Sequence, residues 1–215
     1  MAISGISEDL KAPDLACILG PEGLRSLLEI MCMAYFDLLD SGFVKINTSE
    51  NEITEEWYVK ITVRCRSSDI SVIPIHQKED PTKGKKGKIS PTIDFCFRDE
   101  FYPQSYFGAE CKLLDQDNNK HLKEYVGHNG MGRFLDCRYG SNSSAGVMIG
   151  YIRIGDPKIV SFNVEKLILS LSDKPKFVNE KPVKTFKEIY KSIHQRSECI
   201  SPFTFFHMFY AFECR

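Results

Sequence analysis

Residues Tyr106–Leu114, with the sequence YFGAECKLL, decide the fold that we expect for this 215-residue chain. The run is mostly apolar and reads as a strand. Successive side chains of a strand point to opposite faces of a sheet, so Glu110 and Lys112 share one face while Cys111 takes the other. The stretch therefore predicts a carboxylate and an ammonium group side by side, backed by an apolar layer.

Asp94 has a similar setting on an upstream strand. It lies between Ile93 and Phe95, so it too can emerge from the polar side of a strand whose other face is buried. Two carboxylates from neighbouring strands suit Mg²⁺ or Mn²⁺, and Lys112 beside them can hold or activate a water molecule. This set of groups is typical of phosphodiester hydrolysis. The alternative is an ordinary solvated strand face, because acid-x-lysine triplets are short.

The segment Ser90–Phe95 (SPTIDF) followed by Tyr106–Leu114 resembles the core of the PD-(D/E)xK nuclease superfamily, which includes many restriction enzymes and recombination nucleases. The resemblance implies an α/β fold with a restriction-endonuclease-like mixed sheet flanked by helices. Its order is a helix, a three-strand meander with Asp on the second strand and Glu-x-Lys on the third, then a helix and a strand. It covers about residues 50–155, including Gly130–Phe134 and Gly146–Tyr151, and the arrangement resembles uncharacterised bacterial members associated with anti-phage or mobile-element loci.

The resemblance also implies roles for individual residues. Asp94 and Glu110 would hold Mg²⁺ or Mn²⁺, and the carbonyl group of Cys111 would add a ligand. Lys112 would orient or deprotonate the attacking water and stabilise the charge that develops on the phosphate. The implied activity is that of a magnesium-dependent endodeoxyribonuclease.

Basic residues near the predicted site suggest contacts with DNA. The loop before the acidic strand carries four lysines, Lys83, Lys85, Lys86 and Lys88. Their ammonium groups could track phosphates, or the loop could be a solvated turn. Arg133 could clamp the scissile phosphate bidentately, or pair with an acid such as Asp136. Glu52 and Glu56 on the preceding helix could add a metal ligand, although Glu56 with Lys60 also forms an ordinary surface pair.

The amino-acid composition limits the classes of protein to which the chain can belong. Hydrophobic residues make up 42% and charged residues 27%, which is ordinary for a soluble globular chain, and we expect residues 1–215 to form one domain with a helical N-terminal preface and a C-terminal extension. The N-terminus lacks a signal-peptide pattern, no run is long enough for a membrane span, and the eight cysteines lack a Cys-x-x-Cys pair. We therefore expect a cytoplasmic protein with buried free thiols. A net charge of −1 argues against coating of nucleic acid by bulk charge.

Periodicity places the remaining elements. It predicts helices over 21–41, from Thr48 or Ser49 onward, after 117, over 163–172 and over 183–195, and strands over 70–76, 91–98, 105–114 and 146–154. The aromatic run Phe203–Phe212 is apolar on both faces, which indicates a central strand or an edge covered by a partner. The second case predicts a homodimer or docking on a larger defence complex.

Three functional alternatives stay open at this stage. The chain could be a nuclease that acts on DNA, a ribonuclease on the same fold, or a nuclease-like fold retained as a non-catalytic binding or assembly subunit. Metal binding at Asp94 and Glu110 separates the last alternative from the first two, because a scaffold has no need of Mg²⁺ there.

Overall fold

The computed structural model describes residues 14–79, 92–100, 106–179, 183, 186, 189–212 and 214. Within these residues the helices are α1 (Leu15–Asp40), α2 (Glu50–Arg66), α3 (Asn119–Val126), α4 (Gly132–Leu135) and α5 (Pro157–Leu169). The strands are β1 (Val72–Glu79), β2 (Thr92–Asp99), β3 (Tyr106–Leu113), β4 (Ala145–Ile152), β5 (Lys176–Asn179), β6 (Ile189–His194) and β7 (Phe203–Ala211). None of the helices in these ranges is long and apolar enough to cross a membrane.

The strands form one mixed sheet of seven in the order β1-β2-β3-β4-β7-β6-β5. β1, β2 and β3 are an antiparallel meander, β4 runs parallel to β3, and β7 runs parallel to β4. β6 and β5 complete the sheet with antiparallel pairs. Every residue of β4 is buried, as the continuous apolar sequence of a central parallel strand requires.

Helices cover both faces of this sheet. On one face α1 and α2 pack on Phe95, Phe107 and Val147, and on the other α3, α4 and α5 pack on Met148 and Phe205. The chain is therefore a mixed α/β protein in which each sheet face has its own apolar core. This agrees with the predicted fold class at that level.

Trp57 anchors the first core. Its ring meets Phe95 edge-on at a centroid distance of 4.9 Å, and its Nε1 group donates a hydrogen bond of 3.3 Å to the carbonyl oxygen of Met31. A fully buried side chain of this size contributes on the order of 3 kcal/mol. Since Trp57 touches α1 as well as the sheet, it fixes α2 in position across β2.

The ends of the first two helices follow local sequence signals. Ser49 caps α2 in a reciprocal capping box with Glu52, which confirms the predicted start. α1 begins earlier than predicted, at Leu15, and bends at Gly20, whose φ of 63° is open to glycine at little cost. Pro21 therefore starts the second, longer segment of α1, as expected for a proline at a first helical position.

The C-terminal third differs most from the sequence prediction. It is not an extension, because β7 lies inside the sheet between β4 and β6. The helix predicted over 183–195 is wrong, since Ile189–His194 is strand β6, and the helix predicted over 163–172 is α5, which starts at Pro157. Phe205 and Phe209 are 0% and 2% exposed, so these two side chains are covered within the chain, as the interior-strand alternative predicts.

One pair of cysteines also departs from the prediction. Cys137 and Cys199 form a disulfide across 62 residues of sequence, whereas the sequence pointed to free thiols in a reducing compartment. The bond joins the segment after α4 to the loop before β7. Among the described residues the other six cysteines are free thiols, and four of them are buried.

Candidate functional site

The candidate site lies where the β2–β3 ladder ends. The last paired residues are Phe95 and Ala109, while β3 continues beside β4 as far as Leu113. The N–H group of Cys111 points toward β2 but has no ladder partner there. Asp94, the first residue past the end of the ladder, supplies one through its Oδ2 atom at 2.7 Å. The carboxylate of Asp94 is thereby fixed next to the polar face of β3.

Glu50, in the first turn of α2, likewise accepts a hydrogen bond from a backbone N–H group of β3 that has no partner in the ladder. Its Oε2 atom accepts a hydrogen bond of 2.9 Å from the N–H group of Leu113, and its Oε1 atom lies 3.1 Å from Nζ of Lys112. The positive end of the α2 dipole also favours a carboxylate at this position. Three acids from three elements, α2, β2 and β3, therefore surround one lysine.

The acids that the sequence singled out on α2 lie elsewhere. Glu52 belongs to the capping box with Ser49, and Glu56 forms a 3.0 Å pair with Lys60. The surface pair of Glu56 with Lys60 is thus confirmed, and Glu50, on the same helix, was not singled out. Its sequence signal is only its place beside the N-cap, which does not show that the helix start faces β3.

Lys112 is the central cation of the site. Its Nζ atom lies 2.9 Å from Glu110 and 3.8 Å from Asp94, and it donates a hydrogen bond of 2.6 Å to the carbonyl oxygen of Cys111. Burial alone would lower the pKa of Lys112, but Glu110, Asp94 and Glu50 together raise it above its ordinary value. The amine is therefore charged at neutral pH, which suits orientation of a water and stabilisation of negative charge better than proton removal.

Glu110 is the most deeply buried acid of the site, with 0% exposure. Burial and the neighbouring charge of Asp94 raise the pKa of Glu110, whereas Lys112 and Arg133, both in contact with it, act in the opposite direction and stabilise the ionised carboxylate. Both cations contact the Oε1 atom, whereas Oε2 is buried and has no partner among the described residues. A buried carboxylate oxygen without a partner is costly in a protein interior, and a bound cation would satisfy it.

Arg133 reaches the site from α4. Its Nη1 atom donates hydrogen bonds of 2.8 Å to Glu110 and 2.7 Å to the hydroxyl oxygen of Tyr139. The Tyr139 hydroxyl in turn donates to the carbonyl oxygen of Thr92 at the start of β2. Asp136, the alternative partner for Arg133, instead pairs with Arg138 at 2.9 Å. The structure thus brings Arg133 to the predicted acids.

Tyr139 fits the family resemblance as part of a Tyr-Gly pair, but sequence reasoning assigned it no role in the site. Its pKa is raised by burial and by the charge of Glu110, so its hydroxyl stays protonated and can both donate and accept. Its ring packs edge-on against Phe134 at 5.5 Å, in the same segment as Arg133. Nothing in the local sequence distinguishes this tyrosine from the other tyrosines of the chain.

The residues present are suited to a divalent metal with few protein ligands. No group of three or more His, Cys, Asp or Glu side chains with metal-site geometry occurs in the described ranges. Mg²⁺, however, is commonly held by one or two carboxylates, with water and substrate phosphate filling the other positions. Asp94, Glu110 with its unpartnered oxygen and the carbonyl group of Cys111 fit that pattern. The predicted DNA-contacting lysines, Lys83, Lys85, Lys86 and Lys88, lie outside the described residues.

A second polar cluster is buried under β6 and β7. Asp173 contacts Nδ1 of His194 at 2.9 Å, the hydroxyl group of Ser192 contacts Nε2 of His194 at 2.8 Å and Nε2 of His207 at 2.7 Å, and Nδ1 of His207 contacts the Tyr125 hydroxyl at 3.0 Å. The order Asp–His–Ser is that of a nucleophilic triad. Ser192 and His194 are both 0% exposed, so no substrate reaches the hydroxyl, and the cluster serves the core.

The geometry of the charged cluster around Lys112 is the basis for interpreting function. The sequence predicted Asp94, Glu110, Lys112 and Arg133, and the structure places all four in contact. The chain matches no protein-family model, no curated protein and no solved structure.

Proposed function

We propose that this protein is a metal-dependent nuclease that hydrolyses phosphodiester bonds of DNA on a PD-(D/E)xK-type, restriction-endonuclease-like fold. The observation that carries the proposal is the buried Glu110 with an unpartnered oxygen, beside Asp94 and Lys112 at the end of the β2–β3 ladder. The order of elements supports it, because α2, the β1–β3 meander, α3 and β4 follow one another as the resemblance implies. Asp94 lies on the second strand of that meander, and the Glu-x-Lys motif, Glu110 to Lys112, lies on the third.

The chain's own groups have complementary tasks in this proposal. Asp94 keeps Oδ2 on the N–H group of Cys111, which leaves Oδ1 for a cation, and Glu110 offers Oε2. A bound Mg²⁺ or Mn²⁺ would polarise the phosphate and lower the pKa of a water. Charged Lys112 orients that water and stabilises the developing negative charge, and Arg133 contacts the phosphate oxygens.

The test is cleavage of plasmid DNA and of structured RNA, each with and without Mg²⁺ or Mn²⁺. Three conservative variants probe the site: Asp94→Asn, Glu110→Gln and Lys112→Met. Asparagine can still accept a hydrogen bond from Cys111, so the first variant removes charge while keeping the backbone in place. We expect each to reduce cleavage on the order of 10²–10³-fold, by analogy with the loss of other groups that stabilise developing charge.

Glu56→Gln is the matched control, because Glu56 pairs with Lys60 on the surface of the same helix that carries Glu50. It should leave cleavage unchanged. Cleavage of RNA alone would assign the chain to the ribonucleases. If the wild-type chain cuts neither nucleic acid with any divalent ion and calorimetry shows no Mn²⁺ binding, the enzymatic proposal fails and a binding or assembly role replaces it.

A further inference from the structure

Two cations share one oxygen of Glu110. Nζ of Lys112 lies 2.9 Å and Nη1 of Arg133 lies 2.8 Å from Oε1 of Glu110, whose side chain is 0% exposed. An ionised carboxylate at such depth is strongly destabilising unless it is paired. These two cations therefore neutralise the position that a metal would occupy in the proposed function.

The two cations are held differently. Lys112 contacts two further carboxylates, those of Glu50 and Asp94, and its side chain is only 12% exposed. Among the described residues, the other contact of Arg133 is with a neutral group, the hydroxyl of Tyr139, and its side chain is 26% exposed. With respect to the part of the chain that the structure describes, Arg133 can thus leave Glu110 without breaking a second ion pair, whereas Lys112 cannot.

We propose that Arg133 is a stand-in cation: it neutralises Glu110 when no metal is bound, competes with the divalent ion for that carboxylate, and moves to a phosphate of the nucleic acid once the ion binds. This inference rests on the proposed function. Both contacts of Arg133 with described residues use Nη1, which leaves Nε and Nη2 for phosphate oxygens. The planar guanidinium group is suited to such a two-point contact.

The proposal predicts opposite effects on metal binding and on cleavage. Arg133→Gln removes a positive charge next to the metal position, and repulsion between that charge and a dication is large in a partly buried site. We expect Mn²⁺ to bind roughly ten-fold more tightly or better to this variant. Cleavage should nevertheless fall, since no guanidinium group meets the phosphate. If Arg133 merely held Glu110 in place, its replacement would lower both the Mn²⁺ affinity and the rate of cleavage.

The measurement is calorimetric titration of Mn²⁺ into the full chain, together with cleavage of plasmid DNA. Arg138→Gln is the control, because Arg138 lies in the same segment and pairs with Asp136 rather than with Glu110. It removes the same net charge and should leave Mn²⁺ affinity unchanged. Arg133→Lys keeps a charge but shortens the reach to Glu110, so we expect its affinity to lie between those of wild type and Arg133→Gln.

Three results would overturn the inference. The first is equal or weaker Mn²⁺ binding by folded Arg133→Gln, or by Arg133→Lys if the glutamine variant does not fold. The second is equal tightening by Arg138→Gln, which would make the effect one of net charge. The third is a wild-type chain that binds no Mn²⁺, in which case the proposed function fails as well. If the wild-type chain binds Mn²⁺ and Arg133→Gln binds it with the same affinity, only the inference about Arg133 is refuted.

Discussion

Replacing Lys112 with methionine tests the electrostatic design of the site. Methionine has a similar length and flexibility but no charge. In the metal-free protein the substitution leaves Glu110, Glu50 and Asp94 without the ammonium group that lies 2.9, 3.1 and 3.8 Å from them. We expect this change to destabilise the folded chain by repulsion among the acids and by loss of a partner for the buried one.

The size of the effect follows from burial. Removing one partner of a buried ion pair costs about 3–5 kcal/mol. Glu110 is 0% exposed, but the side chains of Asp94 and Glu50 are 24% and 29% exposed, so solvent screens part of the repulsion. Arg133 continues to neutralise Glu110, and the acids can take up a proton. We therefore expect the lower end of that range, about 3 kcal/mol of unfolding free energy.

Urea unfolding in the presence of a chelator, followed by the same measurement with Mn²⁺, gives the result. Mn²⁺ should recover more stability in Lys112→Met than in wild type, because a dication replaces the missing charge. Lys120→Met is the control: Lys120 pairs with Glu124 at 3.7 Å on the surface, with 81% and 43% of the two side chains exposed, and should cost less than about 1 kcal/mol. If Lys112→Met is no less stable than Lys120→Met, the cluster is not held by charge in the way described.

Three further predictions concern other parts of the chain. Glu50→Gln should lower metal-dependent cleavage with the fold intact, whereas Glu52→Gln keeps a side-chain acceptor for the capping box and should leave cleavage unchanged; equal activity of the two variants would remove Glu50 from the site. Replacing Lys83, Lys85, Lys86 and Lys88 with Gln should flatten the salt dependence of DNA affinity by about 0.9 in log–log slope for each lost phosphate contact, and an unchanged slope would identify a solvated loop. His207 is buried with its pKa lowered from 6.5 to about 3 by desolvation and by His194, so the unfolded chain takes up a proton below pH 6.5 that the folded chain excludes. Unfolding free energy should therefore fall by up to about 1.4 kcal/mol per pH unit as pH drops from 6.5 toward 3, and urea unfolding of His207→Gln should lose that slope.

The features that could be predicted from the sequence are those that depend on local backbone geometry. The alternation of β3 put Glu110 and Lys112 on one face and Cys111 on the other, and the structure confirms this. Ser49 could be predicted as a helix N-cap because the capping box depends only on Glu52, three positions further along the chain. The acids of β2 and β3 were close in sequence and in a meander, so their convergence needed only one strand pairing.

The residues that were missed depend on long-range packing. Glu50 meets Leu113 across 63 residues of sequence, and Tyr139 meets Thr92 across 47. No periodic pattern encodes such a contact, because it depends on where α2 and the segment after α4 settle on the sheet. Trp57, which fixes α2 against β2, sets the first of these positions.

The segment before β7 shows how a periodic signal can mislead. Val183, Phe186, Ile189 and Ile193 recur at helical spacing, which predicted a helix. Ile189 instead pairs with Met208 in a β ladder, so sheet formation overrides the local pattern. The strand is favoured because β4 pairs with only one edge of β7, and β6 supplies hydrogen-bond partners for the backbone groups along the other edge.

The position of the site follows from how the sheet ends. Past Ala109, β3 loses β2 as a partner, so the N–H groups of Cys111 and Leu113 must find acceptors elsewhere. Carboxylates of Asp94 and Glu50 accept them at 2.7 and 2.9 Å, and each brings a negative charge to the same edge. The groups that complete the backbone hydrogen bonding are thus those that could hold a cation. Because the side chains of Asp94 and Glu50 are fixed by the main chain of β3, the charged cluster is preorganised, which is the condition under which it could stabilise the transition state of the proposed phosphodiester hydrolysis.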